Sequence, residues 1–300
     1  MASTKVSEVD GLLVIDKPGG MTSHDVVHRL RQITGERSIG HLGTLDPMAT
    51  GVLPLLLGKF TRLAQFFTSA EKSYTGSIRF GFATDTYDAE GEPAGPRIEP
   101  SLTLEQVRSA AVRFRGEIEQ MPPPFSAKKI AGTPAYKMAR AGKPVELKPA
   151  IIRIASFQIE TIAGDEATFS LTVSAGGYVR AVAHELGQDL GCGAHLSSLR
   201  RTQAGVFTLA DARRLEELQA LAADVPALSR LCRHPRSLLP EMPSVTGDTF
   251  ALGRLRNGAQ ANLPEFSAAS MVKVFAGQRE LVGIAKRVAG TLFQPVVVMG

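Results

Sequence analysis

Cysteine is scarce in this sequence. Two cysteines, Cys192 and Cys232, occur in 300 residues, and they lie far apart along the chain. A disulfide framework needs several cysteines, and a CxxC metal site needs two that are close together. The sequence offers neither kind of site, and its low cysteine content fits a reducing compartment.

Long apolar stretches are also missing. No run approaches the roughly 18 apolar residues of a membrane span, and the first eleven residues, MASTKVSEVDG, lack the apolar core of a signal peptide. We therefore expect a cytoplasmic protein with no membrane partner. Since the sequence has no P-loop, no GxGxxG after a strand and no cluster of metal-ligating residues, it indicates no cofactor and no metal site.

Positive charge is concentrated in one segment. The chain has a net charge of +5, and residues 121–150 carry six basic residues against one acid, so this segment holds the whole excess. Such a patch favours a polyanionic partner such as nucleic acid, and the alternative is a solvated loop. With six prolines and no long period, the segment predicts a long loop, and long loops in compact domains tend to be functional.

Periodicity predicts helices and strands in a mixed order. We expect helices over SHDVVHRLRQIT, capped by Ser23, over TLEQVRSAAVRF, with a Thr103–Gln106 capping box, over YVRAVAHELGQDLG and over DARRLEELQALAA. Strands are predicted at 72–82, in IIRIASFQIE, in ATFSLTVSA and in LSSLRRTQAGVFTL, and the acidic stretch 83–96 is interpreted as a surface loop. The absence of strict βαβ alternation favours an α+β fold around a mainly antiparallel sheet.

A boundary is predicted near residues 233–245, where prolines accumulate and the periodicity stops. We expect one domain over 10–235, including the basic segment 121–150, and a second, small β-rich domain over 240–300. In this second part, short strand-like runs such as VKVFAG and QPVVVMG are joined by glycine turns.

The stretch GHLGTLDPMATGVLPLLLG holds a single acid, Asp46. Asp46 precedes Pro47, so it could cap a helix running through PMATGVLPLLLG or form an Asx-turn. Alternatively, an acid among apolar residues and glycines is partly desolvated, and it could serve as a nucleophile or base. The residues alone leave these alternatives open.

Five segments, taken together, resemble a known family. They are LLVIDKPGGMTSHDVV, GHLGTLDPMATGVLPLLLGKFTR, KSYTGSIRFGFATDTYDAEGE, QMPPPFSAKKIAGTPAYKMARAGKPVE and GGYVRAVAHELGQDLGCGAHLSSLRRT. In this order they resemble the motifs of the TruB-type tRNA pseudouridine synthases across about residues 10–210. The resemblance implies a mixed, mainly antiparallel pseudouridine synthase fold with flanking helices and a PUA-like C-terminal RNA-binding domain.

The resemblance also implies an activity. Members of this family convert the T-loop uridine at position 55 of tRNA into pseudouridine after flipping the base out of the loop. The implied partner is the T-arm of tRNA, with no small-molecule cofactor, and the chain is expected to act as a monomer. Two alternatives stay open: an RNA-binding or tRNA-folding module without catalysis, and the subunit of a guide-RNA-dependent pseudouridine synthase.

Three residues match the family's catalytic positions. Asp46 matches the essential aspartate, which either attacks C1′ of the ribose or removes the C2′ proton. Arg180 matches the arginine that pairs with this aspartate. Tyr74 matches the tyrosine that packs on the target base, and its part in removing the C5 proton stays open.

Other matches concern substrate binding. Tyr178 and Leu199 correspond to residues that line the uracil pocket, and His41 corresponds to the histidine that enters the T-loop when the uridine leaves. Lys17 is grouped with them as a residue supporting the wall of the active site. The basic segment corresponds to an RNA-gripping thumb, whose expected phosphate-binding residues are Lys128, Lys129, Lys137 and Arg140.

Two details of the match carry no assigned role. Asp85 and Asp88 match a TDTxDxxG loop for which the resemblance gives no chemical step. Gly177 stands where the family usually has Ser or Thr, which implies either a lost hydroxyl contact or a looser turn.

Overall fold

The computed structural model describes residues 9–125, 148–222 and 224–300, together with the backbone of 129–130 and 133–134. The predicted thumb residues Lys128, Lys137 and Arg140 lie outside the described residues, and so does the side chain of Lys129.

The larger sheet contains nine strands of the described chain. Its order is β1-β3-β12-β4-β11-β10-β7, with β2 paired to β3 and β13 paired to β12. Every pairing is antiparallel except the one between β3 and β12. The strands are β1 Gly11–Lys17, β2 Ile39–His41, β3 Thr50–Leu57, β4 Lys72–Phe80, β7 Gly116–Gln120, β10 Ala150–Ala163, β11 Glu166–Val173, β12 Ala194–Ala204 and β13 Phe207–Thr208.

Short two-stranded ribbons and helices flank this sheet. The ribbons pair β5 Ala83–Thr84 with β6 Pro93–Ala94 and β8 Lys129–Ile130 with β9 Thr133–Pro134. The helices are α1 Ser23–Thr34, α2 Leu104–Val112, α3 Val179–Asp189, α4 Leu215–Gln219 and α5 Val225–Leu231, with 3-10 turns at Gly58–Phe67, Leu209–Asp211 and Pro235–Ser237. The prediction of an α+β fold around a mainly antiparallel sheet is confirmed.

Helix α1 begins one residue earlier than its predicted cap, Ser23, implies. Thr22, not Ser23, is the N-cap, and it forms a capping box with Asp25. Ser23 is instead buried, and its hydroxyl contacts the backbone of Leu45. The predicted Thr103–Gln106 capping box of α2 is present, and Gly35 ends α1 with a positive φ of 73°, as a C-terminal glycine commonly does.

Strands β1 and β3 are buried on both faces. Leu13 of β1 and Leu55 of β3 belong to the main core, whereas Leu12 and Leu56 belong to a second apolar cluster on the opposite face. A sheet covered on both faces needs continuous apolar runs instead of alternating ones. The helix that the sequence allowed after Asp46 is therefore wrong, because GVLPLLL is a buried strand.

The C-terminal part is β-rich, as the sequence predicts. Its sheet has the order β14-β16-β17-β18-β15, built from β14 Ser244–Thr246, β15 Ala261–Asn262, β16 Met271–Ala276, β17 Glu280–Ala289 and β18 Leu292–Val298, with helix α6 Thr249–Arg256. Phe275 and Ile284 from this sheet join Leu12 and Leu56 in the second apolar cluster. The two-domain division stays a prediction. None of the described helices is long and apolar enough to cross a membrane.

Candidate active site

Asp46 lies in the loop that connects β2 to β3. The Ser23 hydroxyl fixes this loop by accepting a hydrogen bond from the Leu45 N–H at 2.8 Å and donating to the Leu45 carbonyl at 3.1 Å. The Ala49 N–H donates to the Asp46 carbonyl at 3.1 Å and closes a turn. At Gly51 the φ angle is +100°, and a Cβ would lie 2.2 Å from the carbonyl oxygen of Arg201. Only glycine lets β3 begin this close to β12.

Arg180 binds the carboxylate of Asp46 through two nitrogens. Its Nε lies 2.9 Å from Oδ2, and its Nη2 donates to Oδ1 at 3.3 Å. The same guanidinium donates to the carbonyls of Thr86 at 2.8 Å and Phe125 at 2.9 Å, and its Nη1 lies 3.5 Å from Oδ2 of Asp88. The structure thus brings together the predicted pair, and four groups of the protein hold the guanidinium in place.

The electrostatic environment of Asp46 is a balance of opposing effects. Burial raises the pKa of Asp46 above its ordinary value, the Arg180 guanidinium opposes this, and the Asp88 charge raises the pKa further. Solvent still reaches 36% of the Asp46 side chain, whereas 7% of the Arg180 side chain is exposed. A carboxylate with one open side and a fixed cation behind it is accessible to a ligand.

A cavity of about 110 Å³ adjoins this pair. Tyr74, Tyr178 and Leu199 line it together with Asp46 and Arg180, so five predicted site residues meet at one place. Tyr178 sits just before α3.

The buried side chain of Gln120 holds the backbone of Tyr178. It accepts a hydrogen bond from the Tyr178 N–H at 2.8 Å and donates to the Tyr178 carbonyl at 3.1 Å. This contact links β7 to the wall of the cavity, and sequence patterns gave no signal for it.

Arg201 is a second site residue that the sequence analysis missed. It is 1% exposed, and it donates to the carbonyls of Val52 at 2.6 Å and Gly43 at 3.1 Å. It also hydrogen-bonds the hydroxyl of Tyr74, where burial raises the pKa of the tyrosine and Arg201 opposes the rise. The alternation along β12 could have indicated its position, because Arg201 follows Leu199 by two residues and its side chain lies on the same face of the strand.

A larger cavity of about 530 Å³ shares Asp46 and Arg180 with the first. His41, His24 and Glu90 line it. Burial lowers the pKa of His41, and its Nδ1 is buried with no hydrogen-bond partner among the described residues. His41 is therefore a mainly neutral ring near pH 7, and it lines the larger cavity and not the smaller one that contains Tyr74.

Lys17 supports the Asp46 loop and lines neither cavity. It is fully buried, its Nζ donates to the carbonyls of Pro18, Met21 and Pro47, and burial lowers its pKa to about 8. Its grouping with the substrate-binding residues stays a prediction.

The interpretation of residues 83–96 as a surface loop needs correction. Thr84 and Asp88 are buried, and Asp88 faces Arg180.

The glycine at position 177 has a steric explanation. A Cβ added there would lie 2.3 Å from Cγ2 of Val173 and 3.3 Å from Cδ1 of Ile152. A Ser or Thr at this position would force the Val173 side chain to move.

Two family models together match residues 31–234. The model of the TruB family pseudouridylate synthase N-terminal domain matches residues 31–179, and that of the tRNA pseudouridylate synthase B C-terminal domain matches residues 180–234. A curated relative from Solibacter usitatus (strain Ellin6076), named tRNA pseudouridine synthase B, is 45% identical over 97% of this chain and 100% of its own. The chain belongs to the TruB family of pseudouridine synthases. It is therefore an isomerase, as the five motifs predict.

Other comparisons agree with this membership. The Aquifex aeolicus (strain VF5) protein named tRNA pseudouridine synthase B is 38% identical over 95% of this chain and 98% of its own. Among solved structures, a Cbf5-Nop10-Gar1 complex matches with a TM-score of 0.72 at 23% identity, covering 97% of this chain and 85% of that one. An H/ACA RNP bound to a substrate RNA containing 2′-deoxyuridine matches with a TM-score of 0.71 at the same identity and coverage. At that identity the two structures establish the shared fold alone.

Proposed function

We propose that this TruB-family chain isomerises the T-loop uridine at position 55 of tRNA, with Asp46 as the catalytic carboxylate. One observation carries the proposal: the Asp46 carboxylate, held by both nitrogens of the Arg180 fork, opens onto the cavity lined by Tyr74, Tyr178 and Leu199. The relatives named tRNA pseudouridine synthase B support tRNA as the substrate.

The reaction conserves all atoms. The bond between N1 and C1′ breaks, the base turns, C5 bonds to C1′, and the C5 proton is replaced by a proton at N1. Ionised Asp46 acts on the ribose, either at C1′ or at the C2′ proton, while Arg180 keeps the carboxylate oriented. Tyr74 packs against the base, and the apolar Leu199 completes the pocket.

The uridine must leave the folded T-loop before it can reach Asp46. Flipping a base out of its stack costs a few kcal/mol. We propose that His41, which lines the larger cavity, fills the vacated stack, and that its lowered pKa keeps the ring neutral for this purpose. The thumb residues Lys128, Lys129, Lys137 and Arg140 are proposed to contact phosphates of the T-arm.

In the decisive experiment, the pure monomeric protein is incubated with unmodified tRNA, and no other protein or RNA is added. We expect pseudouridine at position 55 when the product is mapped nucleotide by nucleotide. Binding without pseudouridine would favour the non-catalytic RNA-binding module. Formation only after addition of a guide RNA and partner proteins would favour the guide-dependent enzyme.

The hydroxyl of Tyr74 can be tested separately from its ring. Tyr74→Phe keeps the buried ring but removes the hydrogen bond to Arg201. We expect tRNA affinity to stay within about twofold, because base stacking is preserved. If the hydroxyl transfers the C5 proton, the single-turnover rate constant should fall about 10²–10⁴-fold. An unchanged rate constant would restrict Tyr74 to stacking.

The basic segment predicts a salt-dependent affinity. Each phosphate neutralised by a lysine contributes about −0.7 to −0.9 to the slope of log K against log salt. We expect tRNA affinity to fall steeply with added KCl, and Lys128→Ala with Lys137→Ala to flatten the slope. Lys59→Ala combined with Arg113→Ala, which removes two exposed positive charges outside the basic segment and outside residues 240–300, serves as the charge-matched comparison. A tRNA affinity that does not change with KCl concentration would contradict the proposed role of the thumb.

A further inference from the structure

Tyr87 has an unusual backbone conformation. Its φ angle is +66°, and Leu239 is the other non-glycine residue with positive φ in the described part of the chain. For a bulky residue with a Cβ this left-handed region is strained, and such strain persists where the surrounding contacts enforce it. The Tyr87 N–H donates to the Thr84 carbonyl at 3.3 Å, and its own carbonyl accepts from the Leu196 N–H at 3.0 Å.

The two neighbours of Tyr87 converge on one atom of Arg180. The Thr86 carbonyl accepts from Nη1 at 2.8 Å, and Oδ2 of Asp88 lies 3.5 Å from the same Nη1. The Thr86 hydroxyl also donates to Oδ1 of Asp88 at 2.6 Å. The backbone must reverse between residues 86 and 88 for both oxygens to face one nitrogen. The positive φ of Tyr87 supplies that reversal.

A ring contact holds this reversal against helix α3. The Tyr87 ring stacks on His184, with centroids 3.7 Å apart and planes inclined by 11°. His184 lies four residues after Arg180, so both side chains project from the same face of α3. Burial lowers the pKa of His184, so its ring is mainly neutral at pH 7, and the Gln188 amide lies 3.0 Å from its Nε2.

We propose that Tyr87 is a positioning residue for the Arg180–Asp46 pair. Its stack on His184 keeps residue 87 in the left-handed conformation, and this places Thr86 and Asp88 against the guanidinium. The Nε and Nη2 nitrogens of Arg180 then face the Asp46 carboxylate. The proposal rests on the proposed function in so far as Asp46 must be ionised and oriented for catalysis.

Several charged or titratable groups surround the two centres. Those acting on or facing Asp46 are Arg180, Asp88, Lys17, Glu90 and Tyr74. Those near the Tyr87–His184 stack are Glu185, whose pKa burial raises to about 7, and Asp189. The test therefore reads the titration of Asp46 itself and does not rely on the overall pH profile alone.

Three variants of Tyr87 separate the ring from the backbone. Tyr87→Phe keeps the ring and should match the wild type. Tyr87→Ala keeps a Cβ but loses the stack that holds the strained backbone, and kcat should fall about tenfold with little change in KM. Tyr87→Gly loses the stack but adopts positive φ without strain, so its kcat should lie between the two. His184→Ala removes the stack from the other side and should resemble Tyr87→Ala.

The second measurement is the pKa of the Asp46 carboxyl in the free protein, followed by ¹³C NMR. We expect Tyr87→Ala to raise it by up to about one unit, because Arg180 then lowers it less, and the acid limb of kcat/KM should move by the same amount. An Asp46 titration identical in wild type and Tyr87→Ala would overturn the proposal, as would an effect on KM alone. If the wild type forms no pseudouridine, the proposed function fails, whereas the NMR titration still decides the role of Tyr87.

Discussion

Asp46→Asn should abolish isomerisation while leaving tRNA binding close to that of the wild type. The amide has nearly the same shape as the carboxylate but carries no charge, so it can neither attack C1′ nor accept the C2′ proton. We expect the single-turnover rate constant to fall by at least about 10⁴-fold, which is typical when a central catalytic group is lost. Single-turnover conversion of unmodified tRNA measures the loss, and filter binding measures affinity.

Asp165→Asn is the matched control for this substitution. Asp165 is also paired with an arginine, since its Oδ2 lies 3.7 Å from Nε of Arg79, and 38% of its side chain is exposed against 36% for Asp46. It lines neither cavity at the site. The control should convert tRNA at the wild-type rate. Normal turnover by Asp46→Asn would end the assignment of Asp46 as the catalytic group.

Arg180→Lys should reduce turnover far more than tRNA binding. A lysine keeps the charge but has no planar fork, so it cannot hold both oxygens of Asp46 while also reaching the carbonyls of Thr86 and Phe125. We expect kcat to fall about 10²–10³-fold, comparable to removal of one preorganised donor from an active site.

The same variant should change the pH profile in a defined direction. The proposed mechanism requires ionised Asp46, so we expect the rate to fall as pH drops through the pKa of this carboxyl. Burial raises that pKa and Arg180 opposes the rise. A lysine at position 180 lowers the pKa of Asp46 less than the guanidinium does. The pKa of Asp46 therefore increases, and the acid limb of the rate profile moves to higher pH.

Arg79→Lys tests the same exchange at the Arg79–Asp165 pair and should leave rate and profile unchanged. Equal losses of binding and turnover in Arg180→Lys would argue against the pairing role. A thermal unfolding scan of each variant separates these effects from loss of fold, since removing contacts of a buried ion pair also destabilises.

Local sequence patterns predicted the helices and strands that have one face on the core and the other face towards solvent. Strand β4 alternates because one face meets the core, and the capping box of α2 depends on residues three positions apart. Strands β1 and β3 lie between two apolar clusters, so their continuous apolar sequences could not be told from a helix by period. The resemblance, not the pattern, singled out Asp46.

The partners of the site residues were harder to predict than the residues themselves. Asp88 was matched to a motif without a role, because its contact with Arg180 joins residues that are 92 positions apart. The Phe125 carbonyl and the Gln120 side chain act through backbone contacts that leave no mark in composition. The alternation along β12 could have predicted that Arg201 is buried, although arginine side chains are rarely buried this completely.

The apolar cluster shared by the two sheets has a consequence for how the chain could be shortened. Leu12 of β1 and Leu56 of β3, the strand that follows the Asp46 loop, pack with Phe275 and Ile284 from the C-terminal sheet. Cutting the chain near residue 240 would expose these leucines to water, so we expect the truncation to destabilise the sheet that carries the Asp46 loop. An ancestor lacking the C-terminal sheet would have needed a different, more polar surface on this side of β1 and β3.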